Sequence, residues 1–186
     1  VLCESKKGEG FFVCEDCGAG FLGAPKTHKT PQGQICTSTL SNVSLGHEFI
    51  TDVVKLQFFA EPSNLTNRMA FTLSLAYTIV EGAAEVLEVP SNDLGTTVTY
   101  GNQLVVPIIL YDTCPGGAGL VARLEQPDVL RQCFEIARKR VSGDCGCDAK
   151  SSCYGCLRNY RNQFTHHELV RGPVYQYLDD ILIKYF

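Results

Sequence analysis

Four thiols fall within twelve positions, at Cys145-Gly-Cys147 and Cys153-Tyr-Gly-Cys156. Thiolates at this density close a tetrahedral metal site in a short loop, because each sulfur neutralises part of a divalent charge while the backbone between ligands only has to turn. A second set, Cys14-x2-Cys17-x10-His28-x7-Cys36, supplies a two-residue thiol knuckle, an imidazole and a fourth thiol across a short polar excursion. Gly18 follows the knuckle, where freedom to adopt positive φ lets backbone amides turn toward the sulfurs. Cys3 competes with His28 for the fourth place, and disulfides or free buried thiols are the alternatives to metal. The spacing favours metal in both sets, with a Zn2+ ion expected in each. Cys114 and Cys133 lie outside both sets and read as small buried apolar side chains.

Three further groups have the residue types for chemistry. Tyr111-Asp-Thr-Cys-Pro-Gly-Gly-Ala-Gly119 runs from a strand end into a helix start, and the amides around Gly116, Gly117 and Gly119 are a possible phosphate-contacting loop. The alternative is a tight turn that packs a helix on a sheet, and no Gly-Lys-Ser/Thr follows to make a nucleotide-binding loop. His47, Glu48 and Asp52 open a strand that Asp112 would approach if the two strands were neighbours, the donor set of a metal-dependent nuclease. The lysine that accompanies such an acid pair is missing, so polar residues pinning a strand to a loop are the better reading. Finally, Arg158, Arg161 and Arg171 follow the second cysteine cluster with Tyr154 and Tyr160 interleaved, a candidate nucleic-acid-binding surface, while Asn162, Gln163, His166 and His167 suit capping and the orientation of a metal ligand. Arg138, Lys139 and Arg140 add charge just before the cluster.

The 186 residues carry a formal charge of −4, and about −7 once both metal sites are counted, which argues against nonspecific coating of duplex DNA but not against a local basic surface. Metal-like cysteine usage without a charged, apolar leader indicates a reducing, cytoplasmic compartment. No apolar run is read as a membrane span, so no membrane partner is expected. A first residue of Val and a single methionine, Met69, suggest a segment of a longer protein.

These groups require a scaffold. Val43 to Phe59 reads as a core strand, and Asn67 to about Val89 as a helix with apolar residues at Phe71, Leu75, Ile79, Ala83 and Val86. Thr96–Tyr100 and Leu104–Tyr111 flank Gly101-Asn102 as a hairpin. A short helical segment passes Val121 and Leu124, a helix spans Pro127–Val141, and Thr165-x-x-Glu168 reads as the capping box of a last helix that Pro173 kinks or divides. The expected fold class is α+β. A mixed or antiparallel sheet is covered by helices, residues 1–42 form a zinc-ribbon-like segment, and residues 43–186 form a second domain with the four-cysteine loop between helices.

Taken together, Leu110-Tyr-Asp-Thr-Cys-Pro-Gly-Gly-Ala-Gly, Cys145-Gly-Cys147, Ser152-Cys-Tyr-Gly-Cys-Leu-Arg-Asn-Tyr-Arg-Asn-Gln163 and His166 through Arg171 resemble the MZB (MrfA zinc-binding) domain. The likeness extends to Gly46–Asp52 and to Cys14, Cys17, His28 and Cys36, and is nearest to the DrmB-like branch of DISARM phage defence. The resemblance implies a structural zinc on Cys145, Cys147, Cys153 and Cys156 and an accessory place beside a superfamily 2 helicase motor in cis or a partner subunit in trans; the negative charge makes DNA, single-stranded or at junctions, a weak partner of the isolated chain. It implies no catalytic residue. The chain has neither a P-loop nor an Asp-Glu-x-His box, so the expected function is accessory support of DNA engagement in repair or anti-phage defence. A protein-docking module and a nuclease-like domain are the alternatives.

Overall fold

The computed structural model describes residues 2–3, 10–58, 61–62, 65–98 and 106–186. Two units are present, Val1–Phe49 and Ile50–Phe186.

The first unit is built of short strands: β1 (Leu2–Cys3), β2 (Phe11–Cys14), β3 (Gly20–Phe21), β4 (His28–Lys29), β5 (Ile35–Cys36), β6 (Leu40–Val43) and β7 (Leu45–Gly46). All pair antiparallel: β1 with β7, β4 with β5, and β2 between β3 and β6. Among its described residues only Gly10, Cys14, His28 and Cys36 are buried, and these include no large apolar side chain. Val43 lies opposite Phe11 in the β2–β6 ladder, and this pairing keeps it in the first unit. The unit boundary therefore falls after Phe49 instead of at the expected 42/43. The single strand expected from Val43 to Phe59 is likewise divided among the end of β6, β7 and β8 (Val53–Leu56), and Phe59 lies outside the described residues.

The second unit contains β8, α1 (Arg68–Leu87), β9 (Leu94–Val98), β10 (Ile108–Asp112), α2 (Pro127–Arg140) and α3 (Gly172–Tyr185). Its sheet is antiparallel, ordered β8-β10-β9, and the α+β expectation holds. The expected Gly101-Asn102 turn lies outside the described residues. Asn67 caps α1, its side chain accepting from the Ala70 amide at 3.1 Å, and Glu88 ends the helix in the left-handed conformation at φ 58°. Thirteen of the 20 residues of α1 are buried, because a helix apolar on nearly every side must be enclosed. Contrary to the sequence expectation, α1 is long and apolar enough to cross a membrane by length and composition, yet here it is the core helix. Its buried hydroxyls remain satisfied along the helix, Ser74 donating to the Ala70 carbonyl and Thr78 to that of Ser74, each at 2.6 Å.

The last helix differs from expectation. It begins at Gly172 with Pro173 in its first turn, where a missing N–H costs nothing. Thr165 instead closes a 3-10 turn, Tyr160–Thr165, donating to the Asn162 carbonyl at 3.0 Å. The reciprocal cap belongs to Asn159 and Asn162, whose side chains each accept from the other's backbone amide. Tertiary partners keep the chain before α3 non-helical: Ser74 Oγ receives the Val170 amide, and the Ser151 and Ala149 carbonyls receive those of Arg171 and Gly172.

Candidate metal centres and the surface around them

The first centre joins a knuckle to a hairpin. Cys14 ends β2 and Cys17 follows in the turn, where the Gly18 amide returns to the Cys14 carbonyl at 3.0 Å with Gly18 at φ 70°. His28 and Cys36 stand directly opposite in the β4–β5 pair, so one register delivers both. The Cys14 and Cys36 sulfurs are 3.7 Å apart, and the Cys17 sulfur is 3.4 Å from His28 Nε2. All four ligand atoms lie within 4.8 Å of one another. The Cys17 amide aimed at its sulfur draws the Cys14 thiol down to about 6, favouring the thiolate a metal needs. The side chain of Cys3, the rival to His28, lies outside what is described.

The second centre lies between α2 and α3. Cys145 and Cys147 flank Gly146, at φ 76°, and their sulfurs are 3.4 Å apart. Cys156 lies 3.8 Å from both Cys147 and Cys153. The amides of Cys156, Leu157 and Arg158 converge on the Cys153 carbonyl, which winds the Cys153–Cys156 turn tightly. The Cys147 amide lowers the Cys145 thiol to about 7, while burial pushes that of Cys156 up to about 12.

These distances are a test of metal fit. A tetrahedral ion bound to sulfur at about 2.3 Å places two sulfurs about 3.8 Å apart, whereas a disulfide would hold them at about 2.05 Å. The seven cysteines of the two sets form no disulfide, and three sulfur pairs stand near the metal spacing at 3.7, 3.8 and 3.8 Å, with Cys145 and Cys147 closer at 3.4 Å. Four protein ligands fill a tetrahedral coordination shell and leave no position for substrate, so each set fits a structural ion.

The glycine loop already holds an anion, and it is the chain's own. Asp112, fully buried at the end of β10, accepts from the amides of Ala118 (2.8 Å), Leu120 (3.0 Å) and Val121 (3.0 Å), and Asp52 accepts from Gly119 at 2.9 Å. The Gly116 and Gly117 amides go to the carbonyls of Ile50 and Cys114. Every amide from Gly116 to Val121 is thus committed, which corrects the expectation of a phosphate-contacting loop at Gly116, Gly117 and Gly119. Gly117, at φ 78°, is required there because a side chain would overlap the Asp52 carboxylate. The same bonds engage the acid pair of the nuclease reading as loop anchors. Thr51 completes the pin, donating to the carbonyls of Asp112 at 2.7 Å and Cys114 at 3.2 Å. His47 and Glu48 belong to the first unit, where the His47 ring packs on Phe49.

The expected nucleic-acid surface divides into outward aromatics and arginines that bond to acceptors within the fold. Arg158 donates to Ser152 Oγ at 3.1 Å, Arg161 to the carbonyls of Ser91 and Leu94 at 2.9 and 3.1 Å, and Arg171 to that of Cys147. Of the basic run before the cluster, Arg138 pairs with Asp179 and Arg140 with Glu81. Arg158 and Arg171 are therefore drawn away from the open patch that their spacing suggested by acceptors within the fold, while Arg161 stays exposed beside the carbonyls it bonds. Tyr154 and Tyr160 do face solvent, at 71% and 81% exposure, and Phe164, which sequence reasoning passed over, is 85% exposed. Its position four residues after Tyr160 was the available signal. His166 binds this segment together, its Nε2 2.9 Å from the Asn159 carbonyl and from Asn162 Oδ1, with Tyr154 edge-on to its ring. Cys133 is buried as expected, burial pushing its thiol up to about 12, but Cys114 is exposed because it sits in the loop after β10.

With this geometry in view, the chain can be compared with known proteins. The model of the MrfA Zn-binding domain family, MZB, matches residues 75–157, a segment that includes all four cysteines of the second centre. Druantia protein DruE of Escherichia coli (strain UMEA 4076-1) is 26% identical over 194 residues, covering 87% of this chain but 10% of that protein. The chain thus spans about a tenth of the length of this curated relative. The crystal structure of the DUF1998 helicase MrfA bound to DNA aligns at a TM-score of 0.49 and 17% identity, over 80% of this chain and 18% of that one.

Proposed function

We propose that this chain is an accessory, zinc-stabilised part of a helicase or helicase-associated protein that supports DNA engagement and performs no catalytic step itself. The observation that carries this reading is the MZB match, which runs from the core helix through the sheet to the complete four-cysteine cluster. Zinc is assigned to both centres, held by Cys14, Cys17, His28 and Cys36 in one and by Cys145, Cys147, Cys153 and Cys156 in the other. Bound there, the ion supplies cross-linking of the loops and no reaction. The DrmB-like resemblance supports a setting in anti-phage defence, with DNA repair as the other, in the cytoplasm.

DNA contact in this reading falls to Tyr154, Tyr160 and Phe164, exposed rings on which unpaired bases can stack. Arg161 is exposed and adds charge from its anchored position. Between Lys150 and Arg171 four basic residues stand against one acidic residue, in a chain whose total is −4, which supports a weak, single-strand-selective contact. The test is fluorescence anisotropy with labelled single-stranded and duplex oligonucleotides, on protein shown by elemental analysis to hold two zinc ions. Replacing Tyr154, Tyr160 or Phe164 by Ala should each weaken single-strand binding roughly tenfold, since stacking contributes about 1–3 kcal/mol per base. A zinc-loaded triple variant that binds like the parent would overturn the DNA reading. A docking module would then take its place, favoured by an apolar cleft of about 890 Å3 lined by Phe58, Leu130, Phe134, Tyr177 and Ile181.

A further inference from the structure

Arg171 has no carboxylate partner among the described residues, although it is half-buried and charged. Its hydrogen bonds go to backbone carbonyls. Nε and Nη2 both donate to the Cys147 carbonyl, at 3.0 and 2.7 Å, and Nη1 reaches those of Val141 and Ser142 at 3.4 Å. The guanidinium therefore links a metal-ligand residue to the C-terminus of α2, where the helix dipole leaves unpaired carbonyls. Room for it is made by Gly143: a Cβ there would stand 2.9 Å from both Nη1 and Nη2. From the other side, Arg140 donates through Nε to the carbonyl of Cys156 at 2.9 Å while its Nη2 pairs with Glu81 of α1 at 3.2 Å. Two of the four ligand residues are thus held at their carbonyls by arginines from outside the loop.

We infer that Arg171 is a positioning residue of the four-cysteine centre, its planar fork holding the Cys147 backbone at the ligating geometry and its charge facing the thiolates. Two independent features converge on it. A four-thiolate site retains about −2 after binding a divalent ion, and a cation lacking a carboxylate is the natural complement to that charge. Geometry adds what charge alone does not: two nitrogens of one plane meet one carbonyl, an arrangement that an ammonium on a flexible stem does not reproduce. Arg171 was expected at a nucleic-acid surface, and its bonds instead direct it to the metal centre.

The inference rests on the zinc reading of this cluster, and the experiment separates the two. The whole chain, loaded with zinc, is titrated with a chromophoric chelator for the parent and for Arg171→Lys, which keeps the charge and loses the fork. The N-terminal site, 135 positions or more away in sequence at Cys36, serves as internal reference. Loss of an orienting partner outside the ligand set typically lowers metal affinity about 10- to 100-fold. The variant should therefore release one ion at a chelator concentration at least about tenfold lower while the other ion leaves as in the parent. Excess zinc should restore the parent's melting temperature. Release identical to the parent's, or a variant that stays unfolded in excess zinc, overturns the inference, the second because the guanidinium then serves the fold and not the ligand. A parent that holds no ion on the four cysteines removes the zinc reading and this inference together.

Discussion

Asp112 illustrates how one residue can be read chemically in two ways. A carboxylate beside a glycine-rich loop suggests catalysis or phosphate handling, yet its oxygens accept three amides of that loop and no solvent reaches it. Hydrogen bonds to a charged acceptor contribute about 1.5–3 kcal/mol each, and replacing the acceptor strands the donors. Asp112→Asn turns an amide NH2 toward at least one of those N–H groups. It should destabilise the second unit by about 3 kcal/mol or more, checked by urea unfolding of zinc-loaded protein followed by circular dichroism. A loss below about 1 kcal/mol would show that the loop keeps its conformation without the carboxylate. Arginine shows the same ambiguity: Arg161 near a metal loop reads as a phosphate contact, but its bonds are to Ser91 and Leu94, some seventy positions away.

At the level of elements, the contact of α1 with α2 decides where the cysteine loop emerges. Gly82 lies mid-helix in α1, against α2, where a Cβ would meet the Cys133 carbonyl at 2.5 Å and the Ala137 Cβ at 3.0 Å. Helix propensity alone would make Gly82→Ala stabilising by about 1 kcal/mol. Close approach of the helices reverses the sign, and we expect destabilisation of about 1–3 kcal/mol, since a closely packed interior accommodates an added methyl only by shifting backbone. A higher melting temperature for Gly82→Ala would show that the two helices can separate at little cost. Because α2 ends at Arg140, whose guanidinium holds the Cys156 carbonyl, a shift of α2 would also be felt at the metal centre.

For the whole molecule, the two units differ in what holds them together. The core of the second unit runs through all three helices and the sheet, from Val54 to Ile181. In the first unit, three of the four buried residues among those described belong to the proposed metal set. Structural zinc supplies on the order of 10–16 kcal/mol of apparent binding free energy in small sites, more than a unit of this size gains from its own apolar burial. Removal of zinc by a strong chelator should therefore unfold Val1–Phe49 outright. In Ile50–Phe186 it should loosen the segment between α2 and α3 while α1 and the sheet persist. Hydrogen exchange read by mass spectrometry should show full exchange in residues 10–43 and retained protection in α1. Loss of both together would mean that the apolar core depends on metal more than its composition suggests. Metal binding also competes with protons for the thiolates, so the same unfolding should follow acidification.

That each set of four side chains would gather was legible from spacing alone, because a turn of two or three residues is a local constraint: cysteines three positions apart can meet whatever surrounds them. Helices α1 and α2 were legible for a similar reason, their apolar period and their flanking Asn67 and Pro127 lying within the segments themselves. What spacing left open is what a polar group bonds when many partners compete. Arg140, Arg161 and Arg171, the amides of the Gly116–Gly119 loop and the start of α3 were decided by groups distant in the chain, such as Glu81, Ser91, Asp52 and Ser74. An arginine carries the same charge in either setting. Burial decides its use, since a carbonyl enclosed by the fold must be satisfied from within, and it is the half-buried Arg140 and Arg171 that such carbonyls engage, while Arg161 stays exposed.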